Sequence, residues 1–212
     1  MPAPSAYGVF ADMANTFYPG QNHRRSIRLK GFDYSLAGAY YITICTQGRD
    51  CLLSEIVLDE LVLSAAGQMV EEVWTALPQR FGGIAPDDFV IMPNHFHGIL
   101  IIHESVGAGL VPAPRATPAQ DDRATTRVAP TVNRALGEII GAFKSITTHE
   151  YLLGVRERGW PPFDRRFWQR NYYEHVIRDE AELAAIRAYI KDNPLRWAFD
   201  AENRLLQTDR SA

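Results

Sequence analysis

Between residues 91 and 102 the chain reads IMPNHFHGILII, an apolar run broken at Pro93-Asn94 that carries two histidines one residue apart. Proline has no amide hydrogen to give to a sheet ladder, so the break predicts two strand-like runs, Phe89 to Met92 and His95 to Ile102, joined by a bulge or a tight connection. Side chains alternate along a strand. His95 and His97 therefore project from one face, where their imidazoles can share one cation, while Phe96 enters the opposite layer. Taken alone, the pair reads at least as well as two polar residues on a partly exposed strand face.

The rest of the chain supplies a frame for this segment. Tyr40-Tyr41-Ile42-Thr43-Ile44-Cys45-Thr46 is rich in β-branched and aromatic residues and short enough for a buried strand. Ser64 is a candidate N-cap, after which Met69, Val70, Val73, Trp74 and Leu77 recur at helical spacing until Pro78 and Gly82-Gly83. Leu136, Ile139, Ile140, Phe143 and Ile146 mark a second amphipathic helix. Asp179 or Glu180 to Asp192 marks a third, closed by Asn193-Pro194. This order predicts an α+β sandwich, an antiparallel sheet carrying the His-x-His motif with helices packed on one face.

The 212 residues, 46% of them hydrophobic, are enough for one sizeable core. The expected organisation is an arm over 1–32, a catalytic domain over 33–197 and a tail over 198–212. Within the domain, residues 104–131 hold Pro112, Pro114, Pro118 and Pro130 among small and charged residues, a composition expected to form a long mobile connection. Two cysteines, Cys45 and Cys51, exclude a disulfide framework or a cysteine-built zinc site and fit a reducing cytoplasm. No signal peptide or membrane-spanning run is read, so no membrane partner is expected.

The net charge of −3 argues mildly against nucleic acid as partner, but its distribution argues the other way. NHRRSIRLK, residues 22–30, contains Arg24, Arg25, Arg28 and Lys30 and no acid. Residues 154–178 hold six arginines against three acids, interleaved with aromatics. Solvated surface is the simpler account of either segment.

A second constellation stands near the C-terminus in IRAYIKDNPLRW, where Tyr189 and Asn193 are four apart and share one helical flank. Leu183, Ile186 and Ile190 define the apolar stripe, which puts Tyr189 and Asn193 on its shoulder. The simpler reading is a boundary aromatic and a helix-terminal cap.

Taken together, RRSIRLKGFDYS, AYYITICT, MPNHFHGI, FWQRNYYEHVIRDEAEL and YIKDNP, in this order from about His23 to Trp197, resemble the HUH single-tyrosine transposases, in particular the REP-associated tyrosine transposase branch. The resemblance implies a ferredoxin-like core with the histidine pair on a central strand and Tyr189 on a helix nearby. It implies Mg²⁺ or Mn²⁺ on His95 and His97, with Asn193 as third ligand, and Tyr189 as the nucleophile that cleaves and rejoins DNA through a 5′-phosphotyrosine. Single-stranded or hairpin (REP-like) DNA is the implied substrate, with either a monomer or a homodimer as the working unit. Arg165, Arg166 and Arg170, together with Lys144 and the early basic segment, are the residues expected to bind it, with Trp160, Phe163, Phe167 and Trp168 stacking or anchoring.

Two other readings start from the same residues. One is a hairpin-binding regulator without strand transfer, and the other a phosphodiesterase that activates water at the histidines. Tyr172 and Tyr173 are alternative nucleophiles, whereas His103 and His175 read as structural or substrate-side.

Overall fold

The computed structural model describes residues 32–58, 60–104, 135–199 and 203. Four strands form one antiparallel sheet: β1 (Gly38–Cys45), β4 (Ile84–Ile91), β5 (His95–Ile102) and β6 (Tyr173–Ile177), in the spatial order β4-β5-β1-β6. A separate hairpin of β2 (Ser54–Val57) and β3 (Glu60–Leu63) follows β1. Helices α1 (Ala65–Thr75), the single turn α2 (Leu77–Arg80), α3 (Leu136–Arg158) and α4 (Glu180–Arg196) complete the fold. Leaving the hairpin aside, the four sheet strands stand in the order second, third, first, fourth, with α1 and α3 as crossovers. That is the ferredoxin-like arrangement.

Both faces of the sheet are covered, which is why β5 reads as an almost unbroken apolar run. Tyr40, Ile42 and Ile44 of β1 and Phe96, Leu100 and Ile102 of β5 face one layer, buried against Met69, Val70 and Trp74 of α1 and Ile139, Ile140 and Phe143 of α3. These two helices pack on one face, as expected. The third does not join them: Leu183, Ile186 and Ile190 of α4 bury against Val90, Ile99 and Ile177 on the opposite face. Gly98 sits at a close approach in the first layer, because a Cβ there would stand 2.6 Å from the Phe96 ring and 3.0 Å from that of Trp74.

Local signals explain most boundaries. Ser64 caps α1 by accepting from the Gly67 amide, as its position predicts. Asp179 caps α4 through the Glu182 amide. The break at Pro93-Asn94 is a tight connection, closed by the Met92 amide donating to the His95 carbonyl at 2.8 Å. A bulge does occur, but inside β4 between Pro86 and Phe89.

Several elements differ from expectation, among them β4, which begins at Ile84 rather than Phe89. The β2-β3 hairpin and β6 were not read as strands; Glu174 and His175 interrupt any apolar pattern in YEHVI, and only pairing with β1 makes it a strand. Helix α4 does not stop at Asn193-Pro194 but runs on to Arg196. Pro194 forfeits the hydrogen bond that an amide there would donate to the Ile190 carbonyl, but its fixed φ still suits the helix. The arm apart from Phe32, with its basic segment, and all of the 104–131 connection except Glu104, lie outside the described residues.

Candidate active site

The antiparallel register decides what surrounds the histidines. Thr43 pairs with His97 and Cys45 with His95, so the odd-numbered residues of β1 share their face. The His95 and His97 rings are 4.5 Å apart, centroid to centroid, and nearly perpendicular. Both side chains are buried. The Tyr41 hydroxyl lies 2.7 Å and the Thr43 hydroxyl 2.8 Å from Nδ1 of His97. Nδ1 of His95 lies 2.9 Å from the Asn94 Oδ1.

Helix α4 brings the second constellation onto this face. The Tyr189 ring is half-buried, 5.6 Å from that of His97 and 6.4 Å from that of Tyr41. Asn193 is buried one turn further on. Its carboxamide approaches His95 closely enough to favour the charged imidazole, yet no hydrogen bond of normal geometry satisfies its buried Oδ1. Trp197, 6.0 Å from His95, closes this end, and its carbonyl accepts from the side chain of Asn203 in the tail.

Two ion pairs fix α4 against the bulge of β4. Arg187 binds Asp87, and Lys191 lies 3.2 Å from Asp88. At the other end of the helix, Glu182 accepts from His175 Nε2 at 2.7 Å and from the Arg178 amide at 2.7 Å, tying β6 to α4. His175 is thereby structural, and His103 sits exposed just beyond β5.

Burial governs the electrostatics. It pushes His95 down to about 3, helped by the nearby Arg49 guanidinium and opposed by Asn193. His97 is likewise held well below the ordinary imidazole range by burial and by its neighbour His95. Both are neutral at physiological pH, the form in which imidazole is a ligand. Among the described residues, no three His, Cys, Asp or Glu side chains converge on one point.

No family model matches the chain. An uncharacterized protein of Haemophilus influenzae is 38% identical to it over 188 residues, which is 89% of this chain and 97% of that one. The chain belongs to that protein's family. Among solved structures, a REP-associated tyrosine transposase bound to a REP hairpin is similar with a TM-score of 0.48 and 17% identity, over 81% of this chain and 73% of the other.

In this member of the Haemophilus influenzae protein's family, His95, His97, Tyr189 and Asn193 come together. The expected DNA contacts fall into three groups. Arg24, Arg25, Arg28 and Lys30 lie outside the described residues. Arg165, Arg166 and Arg170 are exposed on the segment leading into β6. Lys144 is half-buried and donates to the Gln169 and Arg170 carbonyls at 2.6 and 3.0 Å; burial and the neighbouring Arg166 lower its pKa to about 8. Its first role is to tether that arginine segment to α3.

The aromatics beside those arginines are anchors. Trp160, Phe163 and Phe167 all pack on Tyr151, and the Trp168 indole donates to Thr147 inside the core. Tyr172 packs into the α1/α3 layer, whereas Tyr173 borders Tyr41 on the histidine face. Tyr41, Thr43, Asn94 and Arg49 were missed in the sequence. The alternation of Tyr41 and Thr43 was visible, but the register that sets Thr43 against His97 was not.

Among the described residues, no helix is long and apolar enough to cross a membrane.

Proposed function

We propose that this protein is a divalent-metal-dependent DNA strand transferase of the single-tyrosine transposase kind, with Tyr189 as nucleophile and single-stranded or hairpin DNA as substrate. The observation that carries the reading is the approach of Tyr189 and Asn193, on one helix, to the His95–His97 pair on a central strand. The motif resemblance had implied the same four residues.

The donor set suits Mg²⁺ or Mn²⁺. Two buried neutral imidazoles adjoin a buried amide oxygen that lacks a hydrogen bond of normal geometry, a mixed nitrogen and oxygen set that such ions accept. His95, His97 and Asn193 would hold the ion, leaving coordination positions for substrate. When bound, it supplies Lewis-acid neutralisation of the scissile phosphate.

The chain's own residues do the rest. An ordinary phenol titrates near about 10 and must shed its proton as it attacks. The Tyr189 oxygen bonds to phosphorus, the P–O3′ bond breaks, and the leaving 3′ oxygen takes up a proton. The product is a 5′-phosphotyrosine that retains the phosphodiester's energy for rejoining. Holding the nucleophile on a helix packed against the sheet removes much of the entropic cost of alignment. The exposed Arg165, Arg166 and Arg170, with the basic segment of residues 22–30, supply phosphate contacts.

The test is incubation with labelled single-stranded hairpins and Mn²⁺ or Mg²⁺, followed by denaturing electrophoresis. A metal-dependent protein–DNA adduct is expected in wild type and absent from Tyr189→Phe and from the His95→Ala, His97→Ala double variant. Cleavage with no attached protein would favour water activation at the histidines. Binding without cleavage across a broad set of hairpins would favour a regulator.

A further inference from the structure

Asn94 is buried between the histidine pair and the 3-10 turn Gln47–Arg49 that follows β1. Its backbone carbonyl accepts from the Thr46 amide at 2.9 Å and the Thr46 hydroxyl at 3.0 Å, which fixes the residue in place. Its side-chain nitrogen Nδ2 donates to the Arg49 carbonyl at 3.2 Å. That carbonyl is aimed by consecutive left-handed residues, Gly48 at φ 71° and Arg49 at φ 59°.

These contacts orient the Asn94 amide. A nitrogen facing a carbonyl puts the amide oxygen on the other side, and Oδ1 indeed lies 2.9 Å from His95 Nδ1. An amide oxygen can only accept, so Nδ1 must carry the proton. In a neutral imidazole the other nitrogen is then a bare lone pair. The partners of His97 are different in kind: the Tyr41 and Thr43 hydroxyls each donate or accept, and do not by themselves choose a tautomer.

We propose that Asn94 is a positioning residue that holds His95 as its Nδ1–H tautomer and thereby presents the Nε2 lone pair to the cation. The tautomer assignment stands on hydrogen-bond geometry; only its purpose rests on the metal-dependent reading given above. Without Asn94, the Asn193 carboxamide beside His95 can accept from Nε2 instead, which would draw the proton there and block coordination.

Long-range ¹H–¹⁵N correlation on metal-free, ¹⁵N-histidine-labelled full chain reads the tautomer directly, with His95 assigned by loss of its signals in His95→Gln. Wild type is expected as Nδ1–H. Asn94→Asp keeps an acceptor at Nδ1 and should retain that tautomer, whereas Asn94→Ala should move the proton to Nε2. Mn²⁺ affinity, followed by electron paramagnetic resonance, should fall about 10- to 100-fold in Asn94→Ala, as for other partners that orient a ligating histidine. A proton on Nε2 in wild type overturns the proposal without needing any variant, and so does an unchanged tautomer in folded Asn94→Ala. A wild type that shows Nδ1–H but binds no Mn²⁺ would sustain the role of Asn94 and sink the metal reading.

Discussion

Arg187 of α4 meets one carboxylate oxygen of Asp87 through both Nε and Nη2, at the bulge of β4. The pair lies half a turn from Tyr189 on the same helix, so it helps set where the phenol stands. Burial pushes the Asp87 carboxyl up, but the Arg187 hydrogen bond, the Asp88 amide and the charge of Lys191 outweigh it and hold the pKa below the ordinary value of 3.8. A carboxylate with a depressed folded pKa adds stability above its unfolded pKa, and that stability is lost as pH falls through the folded value. Asp87→Asn should therefore lower the melting temperature at pH 7, with the deficit shrinking below about pH 4. An equal deficit at every pH would show that the charge is irrelevant.

On the proposed reading, Tyr41 is the residue to test against Tyr189 as nucleophile, since both rings border His97. The Tyr41 hydroxyl is already engaged with His97 Nδ1. Tyr41→Phe is expected to keep the covalent DNA adduct at a reduced rate, whereas Tyr189→Phe should lose it. Mapping the adduct to a peptide containing Tyr41 would reverse the assignment.

The buried histidines predict an acid limit in metal-free protein. His95 falls from 6.5 to about 3 on folding, so the unfolded chain binds more protons between those values. Stability from this group is complete above pH 6.5 and declines as pH drops toward 3, by at most about 1.4 kcal/mol per pH unit. Urea titrations at a series of pH values should show His95→Gln with a shallower decline than wild type over that window.

Gly98→Ala is expected to destabilise by about 1–3 kcal/mol, because the added methyl meets the Phe96 and Trp74 rings with no open space to take it. Equilibrium urea unfolding gives the number. A neutral result would mean that the two rings repack freely.

Much of this was legible in advance for physical reasons. The His95–Ile102 run, the Ser64 cap and the stripes of α1 and α3 rest on local chemistry and periodicity, and each was found where expected. What escaped depends on partners distant in sequence. Tyr173–Ile177 is a strand because β1 offers it an edge, and Thr43 meets His97 because of register. Pro194 misled because a proline φ is compatible with helix, and one lost hydrogen bond did not end α4. For the arginine-rich stretch, stacking and anchoring were both open; Trp160, Phe163 and Phe167 pack on Tyr151, while Arg165, Arg166 and Arg170 are exposed.

The histidines and Tyr189 stand on elements that are held in different ways. His95 and His97 are on β5, which with β1 forms the centre of the sheet, paired on both sides. Displacing them from the sheet requires an opening close to global unfolding. Tyr189 is carried by a helix held through three buried aliphatic side chains and surface ion pairs. Amide exchange should accordingly be slowest along β1 and β5 and faster in α4. On the proposed reading, Tyr189 would then move with α4 while the histidine pair keeps its place in the sheet.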